Sequence, residues 1–111
     1  MTTRASTALL TDRYELTMIE AALADGTADR PCVFEVFARR LPDGRRYGVV
    51  AGTGRLLEAI ADFRFGQEEI DWLRENAIVG EQTLAYLADY RFRGSITGYA
   101  EGELYFPVSP L

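Results

Sequence analysis

Leu16, Ile19 and Leu23 recur at helical spacing, which predicts a first helix from about Asp12 to Asp25. Asp12 is placed to cap it, with Glu15 completing a capping-box pattern, and Gly26 to close it. From Cys32 to Ala38 the pattern changes to a short run of β-branched and aromatic residues, a predicted strand. Leu41-Pro42-Asp43-Gly44 has turn chemistry, and Tyr47 to Ala51 reads as the returning strand of a β-hairpin. Leu56, Leu57, Ile60 and Phe63 form the apolar stripe of a second helix. Gln67 to Glu75 predicts a third, with acids in the first turn where the helix dipole favours them, and Glu81 to Tyr90 a fourth. Period two returns at Ser95–Ala100 and Glu103–Phe106 around a turn at Glu101-Gly102, a second hairpin. The expected class is α+β: short helices with two β-hairpins.

Composition narrows the functional classes. The chain has 111 residues, 48% hydrophobic and 12% aromatic, enough for one folded domain. Its net charge of −5 argues against a surface built for nucleic-acid phosphates, and no polybasic run suits an anionic membrane. No window has the apolar length of a membrane span, so the expectation is a cytoplasmic protein. Residues 1–8 are small and polar, an expected flexible lead-in to a domain over residues 9–111. The chain stops at Pro107–Leu111 directly after a strand and reads as cut off, a domain incomplete at its C-terminal end.

Histidine is absent and Cys32 is the single cysteine. This removes the commonest general base and metal ligand, and any serine or cysteine triad. Cys32, between Pro31 and Val33, is expected to be a small buried hydrophobe. Glu68, Glu69, Asp71 and Glu75 read as the solvated face of a helix, with no histidine or cysteine to make them a metal site. Gly52-Thr53-Gly54 lies where a phosphate loop could, but lacks the third glycine of a dinucleotide fingerprint and the Gly-Lys-Ser/Thr of a P-loop. A tight strand-to-helix connection is the better reading.

Two features keep a functional alternative. Arg39-Arg40 and Arg45-Arg46 flank one turn, and guanidinium groups suit bidentate phosphate contact; the alternative is a solvated hairpin tip. Tyr14 stands in the first turn of the first helix, on neither a core stripe nor a polar face. Its ring either packs on the following hairpin, which the residues alone favour, or stacks on a flat heteroaromatic ligand.

Several blocks, in order, resemble the nicotinate phosphoribosyltransferase family: Leu9-Leu10-Thr11-Asp12-Arg13-Tyr14-Glu15-Leu16-Thr17-Met18, Phe34–Pro42 with its Arg pair, Ala51-Gly52-Thr53, Phe63–Ile70, Phe92-Arg93-Gly94 and Glu101–Leu111. The resemblance implies the N-terminal α/β domain of a type II phosphoribosyltransferase, lacking its barrel domain. The family forms nicotinate mononucleotide from nicotinate and phosphoribosyl pyrophosphate with ATP hydrolysis, in NAD salvage, so the implied class is an ATP-coupled ligase or glycosyltransferase.

It further implies a homodimer with an active site shared across subunits, Tyr14 stacking on the pyridine ring, and Arg39 and Arg40 near phosphate or pyrophosphate. Asp12 and Thr17 would shape the helix end. ATP and Mg2+ belong to the full-length enzyme, with none bound by this chain alone. The phosphorylated histidine and the phosphoribosyl-pyrophosphate loop of the family lie outside these residues, so no catalytic residue and no metal ligand is assigned here. The chain alone is expected to be inactive. The alternatives are an inactive binding or interaction domain derived from the family, or a sibling that uses nicotinamide or quinolinate.

Overall fold

The structure, a computed structural model, describes residues 6–111. It contains four helices, α1 (Arg13–Ala24), α2 (Thr53–Asp62), α3 (Gln67–Glu75) and α4 (Glu81–Asp89), and two short strands, β1 (Gly48–Val49) and β2 (Leu104–Tyr105). This is a small α+β arrangement. The chain divides into two compact units, Met1–Pro31 with Asp62–Phe92, and Cys32–Ala61 with Arg93–Leu111.

The first unit holds the buried hydrophobic core. Leu16 of α1, Ile70 and Leu73 of α3, and Leu84 and Leu87 of α4 are buried together with Ala8, Phe65 and Val79. Burying a leucine fully is worth about 1.5–3 kcal/mol, so this cluster holds the three helices together. Phe63 packs edge-on against Phe65 and Tyr90, with ring centroids 5.6 and 6.2 Å apart. Arg74 near the end of α3 bridges Asp71 at 3.0 Å and Glu81 of α4 at 2.8 Å. Both bridges are exposed and add little beside the core. Of the expected lead-in, residues 1–5 lie outside the described residues. Its last residue, Ala8, is buried in the core rather than loose.

Helix ends follow the sequence at one terminus and depart from it at the other. Gly26 takes φ +70° after α1, with Thr27 N–H donating to the Ala22 carbonyl at 2.8 Å and Gly26 N–H to that of Leu23 at 3.3 Å, a Schellman closure. Asp12 occupies the N-cap with an extended ψ of 146°, but its side chain makes no capping hydrogen bond, so the expected capping box does not form there.

In the second unit the two expected hairpins are absent. β1 instead pairs antiparallel with β2, Gly48 opposite Tyr105 and Val49 opposite Leu104. The predicted strand at Cys32–Ala38 forms no ladder of its own. It is extended chain met by the Val108 N–H at Ala38 and the Leu111 N–H at Val36, both 2.8 Å. The turns are where expected, with Arg45 N–H reaching the Pro42 carbonyl at 3.0 Å, yet each returning segment finds its partner in a distant one. Gly48 shows why the register is set here: a Cβ on it would run into the Tyr105 ring. Gly48 is also the single buried residue of this unit. Cys32 is accordingly exposed, not buried, because no core lies where its strand was expected to enter.

α3 closes in the same way as α1 but without a glycine. Ile78 N–H donates to the Leu73 carbonyl and Ala77 N–H to that of Arg74, both at 3.0 Å, while Ala77 sits at φ +50°. A left-handed alanine costs roughly 1–2 kcal/mol. Ala77→Gly is therefore expected to stabilise the first unit by about 1 kcal/mol, read as a higher urea midpoint by the fluorescence of Trp72, the single tryptophan. An unchanged or lower midpoint would count against the strain.

Candidate functional site

The start of α1 presents an open aromatic surface. Tyr14 is 57% exposed, as is Met18 at 59%, one helical turn on; Leu10, in the segment before the helix, is 82% exposed. The inward face of the same helix is carried by Leu16 and, half-buried, Ile19, so the helix turns Tyr14 out. Thr17 Oγ1 donates to the Tyr14 carbonyl at 3.1 Å, tying that first turn together. Asp12 contributes its backbone, whose carbonyl accepts the Glu15 N–H at 3.1 Å. The negative charge of Glu15 raises the Tyr14 phenol above the ordinary tyrosine value, with a hydrogen bond to Glu15 and the charge of Asp12 adding to it. The ring is thus kept neutral by its acidic neighbours and is accessible.

Arg39 and Arg40 belong to the second unit, at the entry to the Pro42–Arg45 turn, where Gly44 takes φ +80°. Both are exposed. Arg40 lines a shallow surface concavity with Leu41, Pro42 and Asp43; Arg45 and Arg46 line another with Gly44 and Tyr47 to Val49. None of these four guanidiniums is in an ion pair, the two that occur among the described residues both being made by Arg74. They are available to an anion, and equally to water. The expected site residues therefore fall into two groups: Asp12, Tyr14 and Thr17 on one helix end of the first unit, Arg39 and Arg40 on one turn of the second.

The Gly52-Thr53 turn is a filled helix start. Glu101 accepts the Gly52 N–H on Oε1 and the Thr53 N–H on Oε2, each at 2.8 Å. These donors are the ones a phosphate would need, so the tight-connection reading holds. On α3, Asp71 is met by Gln67 and Arg74, and Glu69 by the Gly66 N–H at 2.7 Å, while Glu68 and Glu75 are exposed. Among the described residues no group of three or more His, Cys, Asp or Glu could hold a metal ion. No helix there is long and apolar enough to cross a membrane.

Sequence reasoning missed Met18 as an exposed neighbour of Tyr14 on α1. The one-turn spacing was the available signal. It also missed Glu101, which no local pattern marks, since its partners lie 48 and 49 residues away.

Comparison with known proteins adds what the geometry alone lacks. The model of the nicotinate phosphoribosyltransferase (NAPRTase) N-terminal domain matches residues 9–111. Nicotinate phosphoribosyltransferase pncB1 of Mycobacterium tuberculosis is 64% identical over 103 residues, covering 93% of this chain and 22% of the relative. The nicotinate phosphoribosyltransferase of Caenorhabditis elegans is 36% identical, covering 93% of this chain and 19% of its own length. That of Bacillus subtilis is 34% identical, with 96% and 22% covered. The chain spans about a fifth of the length of these relatives.

Because Tyr14 makes no buried contact, Tyr14→Ala is expected to change the stability of the first unit by no more than about 0.5 kcal/mol, measured by urea unfolding. In a spectrophotometric titration, Tyr14→Phe is expected to remove one phenol that ionises above the ordinary tyrosine range. A large loss of stability would mean that the ring packs instead.

Proposed function

Since this chain belongs to the nicotinate phosphoribosyltransferase family, as its N-terminal domain, we propose that it is the N-terminal part of an enzyme that makes nicotinate mononucleotide. The enzyme would take nicotinate and phosphoribosyl pyrophosphate as substrates, couple the reaction to ATP hydrolysis, and serve NAD salvage in the cytoplasm. The observation that carries this reading is the family match over residues 9–111, supported by relatives from bacteria to an animal that all bear the nicotinate name. The shared name favours nicotinate over nicotinamide or quinolinate.

In this reaction a pyridine nitrogen displaces pyrophosphate at the anomeric carbon of the ribose, and positive charge develops on the sugar as the leaving group takes up negative charge. Catalysis rests on positioning and charge management. Tyr14 would supply a face for the pyridine ring, which its exposure at the start of α1 leaves accessible. Asp12 and Thr17 would hold that helix end. Arg39 and Arg40, outside any ion pair, would meet phosphate or pyrophosphate oxygens. The site would be completed by a second subunit and by the domain that follows in the relatives. ATP and Mg2+ are assigned to the whole enzyme on the family resemblance alone, and no step is routed through them.

In the enzyme that contains this chain, Tyr14→Ala is expected to raise the nicotinate KM about two- to tenfold, the worth of one aromatic stack of roughly 0.5–1.5 kcal/mol. The kcat should change far less. The 111-residue chain by itself is expected to form no nicotinate mononucleotide. An unchanged nicotinate KM in the variant would remove Tyr14 from the site, and product from the chain alone would overturn the assignment of catalysis to the rest of the enzyme.

A further inference from the structure

The turn from β1 into α2 is closed by a side chain from far along the sequence. Both Glu101 oxygens are used, Oε1 on the Gly52 N–H and Oε2 on the Thr53 N–H, each at 2.8 Å. The backbone on either side brings them together. Val50 N–H donates to the Glu103 carbonyl and Gly102 N–H to the Val50 carbonyl, both at 2.8 Å. Gly52 at φ +91° and Gly102 at φ +86° make the two bends, conformations that residues with a Cβ rarely adopt. α2 itself offers little else to hold its start. It buries no residue, and the position before it is a glycine with no side chain to cap the first turn.

We propose that Glu101 is an acid-released clasp: ionised, it fastens the start of α2 to the β1–β2 sheet, and protonated, it frees the first turn of that helix. A carboxylate only accepts hydrogen bonds, so it satisfies two N–H groups at once with charge assistance; a carboxylic acid loses the charge and turns one oxygen into an O–H donor that is a poor acceptor. The backbone hydrogen bonds from Gly52, then Thr53, hold the Glu101 carboxyl below the usual carboxylate range, against the opposing effect of burial and with a further contribution from the Thr53 side chain. The charged groups of α2, Arg55, Glu58 and Asp62, and those flanking the two strands, Arg46 and Glu103, make no ion pair with Glu101 and are not among the causes of that shift. With the folded value depressed, the clasp's contribution is present above the unfolded carboxylate value and is lost as pH falls through the folded one. While closed, it also occupies the N–H pair that an outside anion would need. The proposal is independent of the family's reaction.

Amide NMR of the 111-residue chain, titrated from about pH 7 to about pH 3, tests it without any variant. The Gly52 and Thr53 amides are expected to titrate together, with a midpoint below the ordinary carboxylate range. Below that midpoint, exchange at Leu56–Ile60, corrected for intrinsic rates, should accelerate about tenfold or more, while α3 and α4 keep their protection. Glu101→Gln should show the same fast exchange at neutral pH, confined to α2. The clasp is overturned by a midpoint in the ordinary range, by Gly52 and Thr53 amides that ignore the substitution, or by loss of α3 and α4 protection together with α2.

Discussion

Three of the four helices begin immediately after a glycine, and a glycine gives the first turn no side-chain acceptor. In each case a glutamate carboxylate accepts that glycine's N–H: Glu101 for Gly52 at 2.8 Å, Glu69 for Gly66 at 2.7 Å, and Glu20 for Gly80 at 2.6 Å. Helix starts leave unpaired donors that must find partners, and charge-assisted bonds to a carboxylate are among the stronger solutions. Glu69 acts within its own helix. Glu20 and Glu101 reach 60 and 49 residues across the sequence, so the caps also decide which elements lie together. Glu20 joins α1 to α4, where its oxygen lies 3.5 Å from the buried Thr83 hydroxyl. Glu101 joins the Ala100–Glu103 turn to α2.

Burial is distributed unevenly around these caps. In the first unit the capped helices share a core of leucines and aromatics that supplies their stability. The second unit buries Gly48 alone and leaves Val33, Phe34, Val36 and Phe106 exposed. Its short sheet and its helix are therefore held by backbone bonds and one carboxylate. That contrast explains why Cys32 and the hairpin strands depart most from sequence-based expectation, whereas the helices depart least.

The candidate site follows the same division. Tyr14 is legible as unusual because the periodicity of its helix assigns the core to Leu16 and Ile19, leaving an aromatic ring to solvent. Arg39 and Arg40 are legible as a paired charge beside a turn. What each would bind comes from the family, since an exposed ring and an exposed guanidinium are also ordinary surface chemistry.

The sequence by itself determined the four helices among the described residues, the closing glycine at Gly26, a turn around Pro42-Asp43-Gly44 and one at Glu101-Gly102, and the motifs that mark the family. These depend on residues within a few positions of one another, where local spacing and φ preference decide. Tertiary structure alone decided that β1 pairs with β2 rather than folding back on a neighbouring segment, that Asp12 leaves its helix uncapped by its side chain, and that Glu101 fills the start of α2. A strand or a helix end needs hydrogen-bond partners but does not specify from where in the chain they come, and for β1 and the start of α2 they come from about fifty residues away.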